Sequence, residues 1–532
     1  VGDASALMQK LCAARGMADT SHSLLSYALL FPQIHPFIER ISQAIERRER
    51  VCIFGDYDCD GITSTVQFVR FFARHSLDVR TRLPHRLHEG YGLKMQHIEE
   101  CIQAGTDLLI TVDTGIASAP EVAKARAAGI DIIILDHHHV GAELPNANVI
   151  LHPLLAETFP EPYPSAAGVV YLALLAYESA MGKNPTEETA TDTMLATIGT
   201  VADLVPLLGV NRLIVQEGLR ACGVVQHNLQ SPLALLFQQA GIEGSCTSRD
   251  LAFRIAPRLN AAGRMADPRI ALDALLGDVH ALSKLDVLNR DRQQVVRGYM
   301  EDLLPTIETE LTPMLFAVSP HYSPGTVGLI AGKLTEQFGR PSFVGSIQNG
   351  LCTASLRSIP GFHVTEALAR CEDLLLRYGG HAQAAGCHLQ AEHLPALKER
   401  LCADVLTYMT EETLVPSLSF DAALQPRDIH PRLIDMIETL EPFGQGNPEP
   451  RFLLPSATLT DVRAVGSEGT HLQGRIHGHK LIGFGLGHLT SHTTEPLDIA
   501  CRLGRETFRG QTYLQLYVDD VRVPVAQTAF VC

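Results

Sequence analysis

Between residues 51 and 136 the chain alternates short continuous apolar runs with stretches of helical spacing. VCIFGD (51–56), DLLITVD (107–113) and DIIILD (131–136) read as buried strands, too short and too rich in β-branched residues for helices. ITSTVQFVRFFARH (62–75) and ASAPEVAKARAAG (117–129) carry apolar residues three and four apart and read as helices. Strands alternating with helices predict parallel βαβ units and a doubly wound sheet, an α/β fold. Each of the three strands ends in an aspartate. Ligands of such sheets bind just beyond the carboxyl ends of the strands. The segment Asp56 to Asp60, Asp113 and Asp136 should therefore converge at one edge.

Residues 169–222 are expected to be helical, and SKLDVLNRDRQQVVRGYMEDLL forms a long polar helix within 280–308. A helix with so few apolar positions suits a bridge between two domains. MLFAVS (314–319) opens a second α/β unit that runs to about residue 405. LQGRIHG, KLIGFGLG, LDIACRLG and YLQLYVDDVRV then predict a small β-barrel. The expected organisation is a first α/β domain over 1–210, a helical connector over 211–308 and a second α/β domain over 309–405. A linker over 406–447 and a barrel over 448–532 complete it.

Composition adds exclusions. No run reaches the roughly 18–20 apolar residues of a membrane helix. The first residues show no basic segment followed by an apolar block, so no secretory signal is expected. The twelve cysteines form no CxxC pair, which fits reduced thiols in a cytoplasmic protein. The net charge of −16 argues against a uniformly basic nucleic-acid surface. A cluster of acidic metal ligands would add to that count while its cations offset it. From residue 448 onward, eight basic and eight acidic residues balance, so the acidity lies elsewhere.

GDYDCDG (55–61) sets Asp56, Asp58 and Asp60 two residues apart where a strand opens into a loop. Alternate residues of an extended segment point the same way, and three carboxylates so close repel unless cations neutralise them. Alone, the pattern reads equally well as a solvated acidic turn. The glutamate that an EF-hand has at its twelfth position is missing, which argues against that loop. TVDTG (111–115) adds Asp113, LDHHHVG (135–141) adds Asp136 with three histidines, and GTVADLVPL (199–207) adds Asp203. Any one of these is a plain turn former or helix cap. Converging, they supply the oxygen and imidazole ligands that two divalent cations need, Mn²⁺ or Mg²⁺.

DYDCDG, TVDTG, DHH and GTVADLVPL, in this order and spacing, resemble the four motifs of the DHH phosphoesterase superfamily. The superfamily includes pyrophosphatases, small-oligonucleotide phosphodiesterases and RecJ nucleases. The resemblance implies that Asp58, Asp60, Asp113, His137 and Asp203 bind two metals, with Asp113 bridging them. It implies that His138 contacts the scissile phosphate and completes the catalytic set. Asp56 and Asp136 are left to orient ligands. Some relatives carry histidine where this chain has Phe54, which implies fewer protein ligands on one metal. His139 lies outside the motif.

HRLHEGYGL (85–93), with Arg86, and FRIAPRLNAAGRM (253–265), with Arg258 and Arg264, resemble segments of the RecJ branch. TASLRSIPGFH (353–363) and YGGHAQAAG (378–386) resemble the DHH-associated domain. The resemblance makes Ser355, Arg357, Ser358 and His381 residues that grip a 5′ end. Without it, surface arginines and a structural glycine turn are the simpler readings. Pro324 stands where RecJ relatives usually have histidine, which puts one phosphate or base contact in doubt. EPFGQGNPEPRF (441–452) resembles the entry to the RecJ OB-fold. Such barrels hold single strands against aromatic side chains, here Phe508, Tyr513 and Tyr517. The implied activity is a metal-dependent 5′→3′ exonuclease on single-stranded DNA that releases 5′-mononucleotides in repair and recombination. Its implied partners are a helicase and a single-strand-binding protein. The rival readings are a phosphodiesterase of short oligonucleotides or cyclic dinucleotides and an inactive RecJ-like replication scaffold. A barrel argues against the first, and an intact ligand set against the second.

Overall fold

Five parallel strands build the first sheet: β1 (Val51–Gly55), β2 (Arg80–Arg82), β3 (Leu108–Val112), β4 (Asp131–Leu135) and β5 (Val149–Leu151). The computed structural model describes residues 4–16, 22–183, 187–228, 231–309, 311–414, 417–466, 468–492, 496–508 and 511–522. Successive side chains of a strand face opposite ways. Ile53, Ile110 and Ile133 pack with Phe68, Phe71 and Val169 on one face, while Phe54, Leu109 and Ile132 pack with Ile98 and Val122 on the other. Both faces are covered, which is why the strands read as unbroken apolar runs. The sheet is doubly wound in the order β2-β1-β3-β4-β5. Strand order reverses between β1 and β3, the switch point where such sheets open a crevice.

The second sheet has the order β6-β7-β8-β10-β9. Its strands are β6 (Leu315–Ser319), β7 (Ser342–Gln348), β8 (Leu351–Arg357), β9 (Arg377–Gly380) and β10 (Ala384–Gln390). Only β6 and β7 run parallel; the other neighbours are antiparallel. The third sheet, of seven strands, is mixed and buries Phe452, Leu472, Leu481, Ile499 and Leu516. It comprises β11 (Ala422–Ala423), β12 (Phe452–Ala457), β13 (Thr460–Val465), β14 (His471–Ile476), β15 (His479–Gly483), β16 (Leu497–Phe508) and β17 (Gln511–Arg522).

The long polar helix spans Val279–Thr309, about 46 Å at 1.5 Å per residue. Leu282 and Leu285 near its start join the helical core beside the first sheet, and Val296, Met300 and Ile307 join the core of the second. Two short apolar patches on opposite halves explain its weak periodicity. At the chain's start, Leu7 and Leu11 of the Ala4–Ala14 helix pack into the barrel core with Leu433 and Ile437. Arg15 pairs there with Asp421 at 2.9 Å. Nothing in the apolar pattern announces that the opening helix belongs beside the C-terminal strands.

Candidate active site

β1 ends at Gly55, and the next helix, Cys59–Arg74, begins four residues later. Asp58 caps it, its Oδ1 accepting the amides of Asp60 at 3.0 Å and Gly61 at 3.2 Å. Glycine permits the close approach here. A Cβ on Gly61 would lie 2.6 Å from the Asp56 backbone, and one on Gly199 would lie 2.6 Å from Asp60 Oδ1. The two oxygens of Asp60 accept the amides of Ala166 at 2.8 Å and Ala167 at 2.9 Å. These amides open the Ala166–Ala180 helix, whose dipole favours a negative charge at that end. Asp113 follows β3 in the left-handed region at φ 62°, which is uncommon outside glycine and aspartate-like residues. Asp203 follows the Glu187–Ala202 helix.

Residues from four separate segments meet at this edge. His137 Nε2 lies 3.2 Å from Asp113 Oδ1, 3.7 Å from Asp203 Oδ2 and 3.8 Å from Asp60 Oδ2. Three triplets have ligand atoms within 4.8 Å of one another: Asp56–Asp58–Asp113, Asp60–His137–Asp203 and Asp113–His137–His138. Burial, reinforced by neighbouring carboxylates, raises the pKa values of Asp56, Asp113 and Asp203, and pushes Asp60 up to about 7. Burial and then the charge of His138 lower His137 to about 3, leaving a neutral imidazole with a free lone pair. Asp56 Oδ1, Asp113 Oδ1 and His137 Nε2 are buried with no hydrogen-bond partner among the described residues. Mutual repulsion and unfilled acceptor positions fit this donor set to divalent cations.

Asp136 differs. Its Oδ1 accepts the amides of His137 at 2.8 Å and His138 at 3.1 Å and lies 2.9 Å from His138 Nδ1, while Oδ2 accepts the Ile116 amide at 3.0 Å. Burial works to raise its pKa, but the hydrogen bond and charge of His138 hold it at about 2. Burial likewise opposes protonation of His138, yet Asp136, Asp56 and Asp58 outweigh it and raise its pKa. The Tyr91 hydroxyl, which sequence reasoning did not single out within HEGYGL, donates to the Asp113 carbonyl at 3.1 Å and lies 3.0 Å from His138 Nδ1. With Nδ1 engaged twice, Nε2 of His138 is the nitrogen left for a ligand.

Opposite in sign is a group of arginines from three parts of the chain. Arg86 stacks over Tyr57, 4.9 Å from the ring centroid. Arg264 lies in the Ala256–Met265 helix and donates to the Gly325 carbonyl at 3.4 Å. Burial, then the charges of Arg86, Arg292 and Arg357, push its pKa down to about 9. Ser355 and Arg357 of β8 lie against the start of the Val327–Phe338 helix, where a Cβ on Gly328 would sit 3.2 Å from Ser355 Oγ and 3.3 Å from Arg357 Nη2. Arg292, on the connecting helix, escaped sequence reasoning because it looks like any position of a polar helix. Its Nη2 donates to Asn289 at 2.9 Å, and its buried Nε has no partner. Arg258 and Ser358 are engaged within the protein instead. Arg258 Nε pairs with Asp286 at 3.3 Å, and the Ser358 hydroxyl donates to the Phe362 carbonyl at 2.7 Å. His381, in the turn between β9 and β10, is exposed, and partial burial and then the charges of His138 and His139 lower its pKa. Of the barrel aromatics, Tyr513 and Tyr517 are half-buried, with Lys480 4.4 Å from the Tyr513 centroid, and the Phe508 side chain lies outside the described residues.

Family models match three stretches: the DHH family N-terminal domain over residues 50–198, the DHHA1 domain over 311–405 and the RecJ OB domain over 420–520. The single-stranded-DNA-specific exonuclease RecJ of Bacillus subtilis is 36% identical over 466 residues, covering 85% of this chain. The chain spans 58% of that relative's length. The Thermus thermophilus exonuclease of the same name is 34% identical over 491 residues, covering 91% of this chain and 70% of the relative. The crystal structure of Thermus thermophilus RecJ in complex with Mn²⁺ superposes with a TM-score of 0.85 at 30% identity, covering 99% of this chain and 77% of that one. A structure of exonuclease RecJ bound to manganese gives 0.62 at 34% identity, covering 71% of this chain and 96% of that one. Matching domains in the same order, and relatives aligned along most of the chain, show that it belongs to the RecJ family of DHH proteins.

Proposed function

We propose that this chain is a two-metal exonuclease that removes 5′-mononucleotides from single-stranded DNA. The observation that carries the reading is the uncompensated carboxylate–histidine cluster at the β1/β3 switch point. Asp58, Asp60, Asp113, His137 and Asp203 would hold the cations, Asp113 and His137 each belonging to two of the three triplets. Asp56 joins them as a ligand rather than only orienting others, because its Oδ1 is buried, unpartnered and grouped with Asp58 and Asp113. Mn²⁺ or Mg²⁺ bound there supplies Lewis acidity and a water acidic enough to attack near neutral pH. His138, held by Asp136 and Tyr91, donates from Nε2 to a phosphate oxygen. Arg86, Arg264, Arg292 and Arg357 neutralise the phosphates, while Ser355 and His381 contact the terminal nucleotide from the second sheet. Arg258 and Ser358, already engaged, support this wall.

The six ligands leave no reason to read a catalytically dead scaffold, and a strand-binding barrel is superfluous for a dinucleotide phosphodiesterase. A strand consumed from its end has to be supplied unpaired, which assigns a helicase and a single-strand-binding protein as partners. We place this work in the cytoplasm. No described helix is long and apolar enough to cross a membrane.

The test is digestion of single strands blocked at one end. With Mn²⁺, a strand blocked at its 3′ end should yield mononucleotides, and one blocked at its 5′ end should persist. Equal degradation of both would refute the polarity.

A further inference from the structure

The helical segment that carries Arg258 and Arg264 begins irregularly. A short helix, Ser248–Asp250, passes into one turn of π-helix, Leu251–Ile255, before the regular helix resumes at Ala256. Such turns are rare and gather at functional sites. Leu251 and Ile255 are fully buried in this turn, but Phe253 between them is 73% exposed, the most exposed large apolar side chain among the described residues. The Arg249 guanidinium, one turn earlier, lies 5.9 Å from the Phe253 ring centroid. No carboxylate pairs with Arg249 among the described residues.

This exposed pair stands beside the barrel. The Ser248 hydroxyl donates to the Phe443 carbonyl at 2.6 Å, fastening the segment to the stretch that leads into the third sheet. The charge of Arg249 reaches the Tyr517 phenol of β17, opposing the rise that burial and Glu506 cause there. One seam therefore holds an exposed ring, an unpaired cation and a barrel tyrosine. The same segment continues about 16 Å to Arg264 at the metal cleft.

We infer that Phe253 and Arg249 form a stacking station for a nucleobase of the single strand where it passes from the barrel to the metal cleft. The inference rests on the substrate reading given above. A π face beside a cation suits a base and its phosphate, and continuity with the arginine wall favours a polyanion over an apolar protein partner.

The chain contains no tryptophan, so Phe253→Trp introduces a single indole reporter at an exposed position. With Mn²⁺ and phosphorothioate-protected strands, its fluorescence should be quenched by a long single strand and not by a trinucleotide. In parallel, 2-aminopurine placed at successive positions from the 5′ end should show one quenched position in the native chain. Phe253→Ala should abolish that quenching and weaken long-strand affinity about tenfold, and circular dichroism will confirm its fold. Arg249→Ala should weaken the same affinity without moving the quenched position. A 2-aminopurine profile unchanged by Phe253→Ala would overturn the inference, as would indole quenching that follows protein concentration rather than DNA. If the native chain binds no single strand at all, the substrate reading itself fails; if it binds while the indole is silent, only the stacking station fails.

Discussion

Two charged clusters of this molecule use the same residue types to opposite ends. In the barrel, Arg502 pairs with Asp519 and Glu449, each at 2.8 Å, and Arg451 reaches Asp519 at 2.8 Å. Burial there works to raise the pKa of Asp519, but the two arginines outweigh it and hold it below the ordinary range. At the first sheet, Asp56, Asp60 and Asp113 are buried more deeply than Asp519 and Asp203 is half-buried like it, no arginine or lysine pairs with them among the described residues, and their pKa values rise. The arginines that would neutralise them stand apart, where burial and then one another's charge depress their pKa values. A buried charge is tolerated when paired and costly when not. The barrel cluster is thus complete as it stands, whereas the cleft keeps an acidic floor and a basic wall separate, each short of a counter-charge that, under the proposed function, cations and a phosphodiester would supply.

Asp113→Asn should break the acidic floor most severely. Turnover should fall by more than the roughly 10–100-fold that losing a supporting partner costs, and calorimetry should show weakened Mn²⁺ binding. Metal-free melting should not drop, since a repelled charge is removed. Normal turnover in Mn²⁺ would refute its role as a metal ligand. Asp136→Asn should cost about 10–100-fold in turnover and lower the His138 pKa, read by NMR titration. An unchanged imidazole titration would show that Asp136 does not tune it.

Asp519→Asn should act on stability alone, by about 1.5–3 kcal/mol for hydrogen bonds to a charged group. Urea melts should detect the loss, and cleavage of very short strands should persist. The clusters should also differ in pH dependence. Asp60 moves from an ordinary 3.8 up to about 7, so without metal its contribution is full below about 3.8 and is lost as pH rises towards 7. Asp519, lowered on folding, contributes fully above the ordinary carboxylate range and loses that contribution as pH falls through its folded value. Melting in chelator between pH 4 and 7 should therefore decline for the first unit, and Mn²⁺ should remove the decline. Arg292→Ala should have the smallest effect, a modest affinity loss with the salt slope reduced by about 0.7 for one phosphate contact on a single strand. An unchanged slope would take Arg292 out of the wall.

The sequence by itself determined three strands of the first sheet and the edge at which its aspartates converge. β1, β3 and β4 fall within their apolar runs, because strands buried on both faces must be continuously apolar. The aspartates after them follow from the carboxyl-edge rule. Other features needed the tertiary structure, because they depend on contacts between segments far apart in the chain. Three-residue strands such as β2 and β5 are too short to show a period. Asp56 and Asp136 look alike as terminal aspartates, yet only Asp136 has its oxygens filled by nearby amides and a histidine. Arg258 and Arg264 share one motif, but packing of the Val279–Thr309 helix gives Arg258 the carboxylate of Asp286 and adds Arg292 to the wall around Arg264. The exposure of Phe253 is equally invisible in FRIAPRLNAAGRM, since an apolar residue in a helical segment reads as core until the turn that expels it is seen. Periodicity along a chain reports which face is buried; which charges end up without partners is decided by what folds against them.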